Sequence, residues 1–245
     1  MTRPAYPDPM LELHQFRHSA FCEKVRLVLA AKGLPYNVVE VTPGVGQVEL
    51  YRLSGQRQVP VLVDGPEVIA DSTAIAQYLE RHTPAPALLP ADPALRAQVL
   101  ILEDWADTAL AAGARLALVQ AAAADPVLRG GLLPDATPAP LRSLVGALPS
   151  GVLSGIGQVI DHGGLEQLRA NLEQLTALVQ QQPYLVADQL SLADLAVAAQ
   201  LSLLSFPASA GAPLAGRGVP GLADDPVLAP LWQWRDAIGT QVGRS

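Results

Sequence analysis

The first ordered pattern in the chain is an alternation in which Leu11 and Leu13 are apolar while Glu12 and His14 are polar. A period of two marks a strand with one face on a core, and this one stops near Arg17. From Phe21 the period changes. Phe21, Val25, Val28 and Leu29 fall at i, i+4, i+7 and i+8, the stripe of an amphipathic helix, and Gly33 followed by Pro35 supplies its stop. The short β-branched run Asn37–Val41 predicts a second strand, parallel to the first and reached by a right-handed crossover. Beyond Thr42-Pro43-Gly44 the pattern is less regular, and Val48, Leu50, Tyr51 and Leu53 mark a short helix or turn. Two further apolar runs, Val59–Val63 and Val68–Ala70, flank Asp64-Gly65-Pro66-Glu67 and predict a hairpin. Asp71 or Ser72 then caps a helix carrying Ile75, Tyr78 and Leu79 on one face.

This order predicts an α/β, thioredoxin-like layered domain over residues 10–82, preceded by a flexible proline-bearing tail, 1–9. Residues 83–93, with Pro84, Pro86, Pro90 and Pro93, are expected to be a linker. After it no strand pattern recurs. Leu- and Ala-rich periodicity predicts an all-helical domain over 94–245, with helices near 94–124, 165–182, 191–204 and 227–238. Asp125-Pro126 and the Gly- and Pro-dense stretch 130–164 interrupt it with an insertion longer than bundle helices usually require. A lid, a partner surface and a tolerated insertion all fit that stretch.

Composition removes several functions. Half of the 245 residues are hydrophobic and 16% are charged, so most of the chain has the means to fold. The formal net charge of -7, with no basic cluster, excludes a nucleic-acid partner held by phosphate contacts. A single cysteine cannot form an internal disulfide, and no apolar run reaches signal-peptide or membrane-span length, so a cytoplasmic location is expected. His14, His18, His82 and His162 lack metal-ligand spacing, and no metal site is expected.

Three features carry chemistry. In His18-Ser19-Ala20-Phe21-Cys22 a hydroxyl and the single thiol stand at the start of the first helix, where unpaired N–H groups and the helix dipole favour an anion. A free thiol has a pKa of about 8.5, so holding one as thiolate near neutrality takes a shift of about one to two units, or ~1.4 to 2.7 kcal/mol. One hydroxyl donor at a helix N-terminus can supply that; equally, Ser19 can serve as a plain cap and Cys22 as core. Pro60 opens a strand. A cis Val59–Pro60 bond would leave the Val59 N–H and C=O for a bound peptide, whereas an ordinary edge proline would not. Asp71-Ser72 begins the next helix, where the hydroxyl and free N–H groups can cradle a carboxylate and Asp71 can accept from an ammonium group, or the pair can simply cap.

The order and spacing of these features resemble those of the cytosolic glutathione S-transferases. Ser19–Arg26 resembles the active-site turn, Gln58-Val59-Pro60-Val61-Leu62 the cis-proline motif, Asp71-Ser72-Thr73-Ala74-Ile75 the motif holding the γ-glutamyl end of glutathione, and Tyr184–Asp194 the folding motif. In that last segment Ser191 and Asp194 form a capping box, with Leu190 and Leu195 as its staple. The resemblance implies a serine-type, zeta- or omega-like enzyme that binds glutathione as co-substrate and conjugates it to a small electrophile. Ser19 would hold the thiolate, Gln58 the glycine carboxylate, Val59 and Pro60 the cysteinyl unit, and Asp71 with Ser72 the γ-glutamyl end. Gln15 stands at the tyrosine position of other classes and cannot do that work. A second, apolar substrate site would involve Trp105, whose other reading is a core or interface aromatic, and Cys22 is the remaining possible contributor. Ala20 stands where many relatives have proline, and Ser19 replaces the first cysteine of the glutaredoxin-like pair, which rules out a dithiol cycle. The alternatives are a non-catalytic binding module and a glutathione-dependent reductase or isomerase that uses Cys22. A homodimer is implied by the resemblance alone.

Overall fold

A computed structural model describes residues 11–42, 45–133 and 162–244, with positions 137, 140 and 145 besides. The predicted tail 1–9 and most of the 130–164 insertion lie outside the described residues. The chain divides into two compact units, 1–86 and 87–245.

In the first unit the elements run β1 (Leu11–Gln15), α1 (Ala20–Ala31), β2 (Tyr36–Glu40), α2 (Val45–Ser54), β3 (Val61–Asp64), β4 (Glu67–Ala70) and α3 (Ser72–His82). The strands form one mixed sheet in the order β2-β1-β3-β4, with β1 and β2 parallel and the other pairs antiparallel. The parallel strand–helix–strand unit is therefore as predicted, and the irregular stretch after Gly44 is helical. Leu13 and Leu62 are paired directly across β1 and β3 and fully buried. Val61, the next residue along, packs instead with Leu50 of α2 and with Val41, as side-chain alternation in a strand requires. Helix α1 packs on α3, and α3 on β3 and β4.

Helix α1 ends where expected. Gly33 takes φ +64, the left-handed conformation of a residue just past a helix end. Gly65, with φ +56, likewise gives the hairpin its two-residue turn between Asp64 and Glu67. The charged residues of α1 depart from a simple amphipathic stripe. Lys24 is fully buried, its Nζ donating to Thr73 Oγ1 at 3.1 Å. Lys32, the residue that ends α1, is also buried; it gives its ammonium to the carbonyls of Thr83 (2.6 Å) and Pro86 (3.0 Å) and pairs with Glu80 at 2.7 Å.

The second unit is helical: α4 (Pro93–Trp105), a π-helical turn (Ala106–Leu110), α5 (Ala111–Ala124), α6 (Pro126–Gly131), α7 (His162–Val179), α8 (Leu192–Leu201), a 3₁₀ turn (Ala208–Ala210) and α9 (Ala229–Gln241). Asp92 caps α4 through the Ala94 and Leu95 N–H groups, with Pro93 in the first turn. Asp125-Pro126, read from sequence as a break, ends α5 and caps the short α6. Helix α8 is buried along its whole length and forms the centre of this unit. Its start is the predicted capping box: Asp194 accepts from the Ser191 N–H at 2.8 Å and the Ser191 hydroxyl at 2.7 Å, and also from the Leu185 N–H at 2.7 Å.

Candidate functional site

The sheet register brings the sequence motifs to one end of the first unit. His14, Val61 and Ala70 stand side by side across β1, β3 and β4. The chain leaves β1 toward Ser19, enters β3 from Val59-Pro60, and leaves β4 into Asp71-Ser72, all at that end. Two strand spacings make a row roughly 10 Å wide, about the reach of an extended tripeptide.

Ser19 is the N-cap of α1, in extended conformation with φ -81 and ψ 122. Its N–H closes a tight turn onto the Phe16 carbonyl at 3.0 Å, its carbonyl starts the helix by accepting from Glu23 at 2.9 Å, and its Oγ accepts from the Cys22 N–H at 3.3 Å. A serine hydroxyl has two lone pairs and one proton. Capping uses a lone pair and leaves the proton to give. The half-buried hydroxyl therefore combines a donor with the positive end of a helix.

Cys22 is fully buried. Burial pushes its thiol up from the ordinary range, against weaker downward pulls from the Ser19 hydroxyl, the Phe16 backbone and the Arg26 charge. A protonated, enclosed thiol is poorly suited to attack.

The Val59–Pro60 bond is cis. Val59 lies just before β3, half-buried, and among the described residues its N–H and C=O form no hydrogen bond. An extended peptide can pair with such a free main-chain pair as an added strand does. Gln58, next to it, is exposed.

Asp71 takes φ 80 and ψ 133, a region that costs a non-glycine residue on the order of 1–3 kcal/mol. Strain of this kind concentrates at ligand sites. Its Oδ1 caps α3 by accepting from Thr73 N–H (2.9 Å) and Ala74 N–H (3.0 Å), so those two donors are already used. The carboxylate is exposed, and its Oδ2 has no hydrogen-bond partner among the described residues. Asp71 therefore caps while still offering an oxygen to an ammonium group. Ser72 is buried. Trp105 is the last residue of α4 in the second unit, half-buried and directly before the π-helical turn.

Sequence reasoning missed a polar network under the Ser19 turn. Gln15 and Glu40 are register partners on parallel strands, and the Gln15 amide donates to Glu40 at 3.2 Å. The strand–helix–strand reading already put both at equivalent strand ends, so that contact was foreseeable. Arg26, 7% exposed, was hidden because a charge on a helix reads as a solvent face. No group of three His, Cys, Asp or Glu residues suited to a metal occurs among the described residues, and no described helix is long and apolar enough to cross a membrane.

Residues 13–87 match the family model described as "Glutathione S-transferase, N-terminal domain". The chain is 33% identical over 110 residues to a stringent starvation protein A homolog of Pasteurella multocida, an alignment spanning 43% of this chain and 52% of that protein. It is 39% identical over 98 residues to a maleylacetoacetate isomerase of Rattus norvegicus, spanning 38% of this chain and 45% of the relative. The chain thus spans about half the length of the curated relatives it matches. A crystal structure of a glutathione S-transferase from Rhodospirillum rubrum F11 superposes with a TM-score of 0.66 at 24% identity, covering 94% of this chain and 88% of that one, a likeness of fold. Residues 13–87 thus form a glutathione S-transferase N-terminal domain, and the chain as a whole shares the fold of solved glutathione S-transferases.

Proposed function

We propose that this chain is a glutathione transferase in which Ser19 stabilises the glutathione thiolate and the sulfur is added to a small electrophile. One observation carries the reading: a capping serine whose hydroxyl keeps its proton, at the start of α1 and on the same end of the sheet as the free Val59 main chain and the outward oxygen of Asp71. The cysteinyl unit pairs with Val59 beside cis-Pro60, the γ-glutamyl ammonium meets Asp71 at the start of α3 next to Ser72, and Gln58 holds the glycine carboxylate. The protein then has two tasks, to lower the thiol pKa and to hold two reactants in line. Trp105 belongs to the electrophile side of this proposal, and a homodimer is part of it.

The likeness to a protein named maleylacetoacetate isomerase favours a second reaction at the same site. A thiolate held by Ser19 can add to a conjugated cis double bond, allow rotation about the resulting single bond, and leave again, so that glutathione is regenerated. The buried Cys22 speaks against a route through the protein's own thiol.

Calorimetry with glutathione, together with turnover of a dinitrohalobenzene and of a conjugated cis-diacid, separates these readings. Binding with conjugation supports the transferase, and binding with isomerisation alone supports the second reaction. Binding without either points to a non-catalytic module, and absence of binding removes both enzyme readings.

A further inference from the structure

Beneath the Ser19 turn runs a series of hydrogen bonds whose direction is set at both ends. Arg26 can only donate. From its buried place on α1 it gives Nη1 to Gln15 Oε1 at 2.6 Å, Nη2 to the Arg17 carbonyl at 2.9 Å, and Nε to Glu23 Oε2 at 2.6 Å. Because Gln15 turns its oxygen to Arg26, its nitrogen must point away, and it meets Glu40 Oε2 at 3.2 Å. Glu40, as a carboxylate, can only accept, and its Oε1 takes the Arg17 N–H at 2.7 Å.

The consequence is that both main-chain groups of Arg17 are held, the N–H by Glu40 and the C=O by Arg26. Arg17 is the second residue of the four-residue turn that Ser19 N–H closes onto Phe16. Clamping Arg17 therefore sets the path of the backbone into Ser19. Gln15 and Arg26, 6% and 7% exposed, are too enclosed to touch a ligand themselves. A contact to a carboxylate or guanidinium is among the stronger hydrogen bonds a protein makes, which suits a rigid support.

We propose that Glu40, Gln15 and Arg26 are positioning residues that fix the Phe16–Ser19 turn, and through it the direction in which the Ser19 hydroxyl meets the glutathione sulfur. The inference rests on the transferase reading. It also makes a demand that mere packing would not: the polarity of the series, and not only its shape, must be kept.

That demand can be tested by exchanging the two middle groups. Gln15→Glu alone sets two carboxylates against each other, and Glu40→Gln alone sets an amide nitrogen, or a misdirected amide, against Gln15. The double variant restores every pairing. A carboxylate at position 15 accepts from Arg26, and an amide at position 40 gives its nitrogen to that carboxylate and its oxygen to the Arg17 N–H. Net charge is unchanged. The readouts are kcat and the glutathione KM with a dinitrohalobenzene, with urea unfolding as the control for folding. A displacement of about 1 Å at a reacting group can cost on the order of 100-fold, so each single variant should lose about 10- to 100-fold in kcat with glutathione KM changed by less than about threefold. The double variant should return to within about threefold of the unaltered kcat. Single variants with unaltered kcat, or a double variant no better than the poorer single, overturn the inference. If a single variant does not fold, the double decides: a folded double with near-normal kcat supports the clamp, and an unfolded or slow one overturns it. Absence of turnover by the unaltered protein is a different failure, which overturns the transferase reading and this inference with it.

Discussion

Replacing Asp194 by Ala should unfold the helical unit at markedly lower urea. Asp194 has no exposed surface, and its two oxygens accept from the Leu185 N–H (2.7 Å), the Ser191 N–H (2.8 Å) and the Ser191 hydroxyl (2.7 Å). The hydroxyl can rotate to another acceptor, but the two buried main-chain donors cannot. Each donor left without a partner costs about 1–3 kcal/mol, a gross loss of roughly 2–6 kcal/mol. Part is returned, because burial pushes the Asp194 carboxyl up from the ordinary carboxylate range against its hydrogen bonds, and removing it relieves that desolvation. The net expectation is a loss of about 3–4 kcal/mol, a large share of a domain stability of roughly 5–15 kcal/mol. Trp105, Trp232 and Trp234, the chain's three tryptophans, all lie in residues 87–245, so their fluorescence in a urea titration reports this unit. Asp194→Asn keeps the volume and one acceptor, and should lose about half as much. A loss below about 1 kcal/mol in Asp194→Ala would refute the claim that the capping box secures this unit.

Two further outcomes follow from burial and close approach. Cys22 should react with iodoacetamide at neutral pH at least about 100-fold more slowly in the folded protein than in urea, because its thiol is enclosed and held protonated. Its raised pKa also means that, above the ordinary thiol range, the unfolded chain gives up this proton before the folded one does. Stability should therefore fall as pH rises through that window, and Cys22→Ala should flatten the alkaline slope in urea titrations. Gly218→Ala should destabilise the helical unit by about 2–3 kcal/mol, because the added carbon would meet the Leu204 carbonyl oxygen, Ala223 Cβ at 2.5 Å and Ser205 Cα at 2.9 Å. Backbone atoms cannot step aside as a side-chain tip can, and an unchanged urea midpoint would count against that geometry.

Much of the first unit was legible because its strands and helices carry clean periods and strong stops. Leu11 and Leu13 alternate, Gly33 and Gly65 stand where a left-handed residue is required, and Asp71 caps α3 as its position suggests. The cis geometry at Val59–Pro60 was open from sequence, since an X-Pro bond takes either isomer at modest cost and only tertiary context chooses. The buried cations were illegible for a related reason. Lys24, Arg26 and Lys32 look like the polar side of α1, and only the three-dimensional supply of carbonyls, carboxylates and hydroxyls makes their burial tolerable. The short helix after Asp125 was hidden because six residues are too few for a period to emerge, and Pro126 reads equally well as a breaker or as a first-turn proline. In the site, residue types were readable and their coupling was not: Gln15 was dismissed for lacking a phenol, yet it links Glu40 to Arg26 under the turn.

The central claim is that the Ser19 hydroxyl holds the glutathione sulfur as thiolate. The most direct measurement is the ultraviolet thiolate absorbance of bound glutathione, titrated against pH at saturating ligand, in the unaltered protein and in Ser19→Ala. With the hydroxyl present, the bound thiol should ionise about one to two units below its free value of about 8.5. Without it, the value should climb back by about a unit and kcat should fall by roughly 10- to 100-fold, with glutathione still bound. The same ionisation and turnover in both proteins would contradict the account.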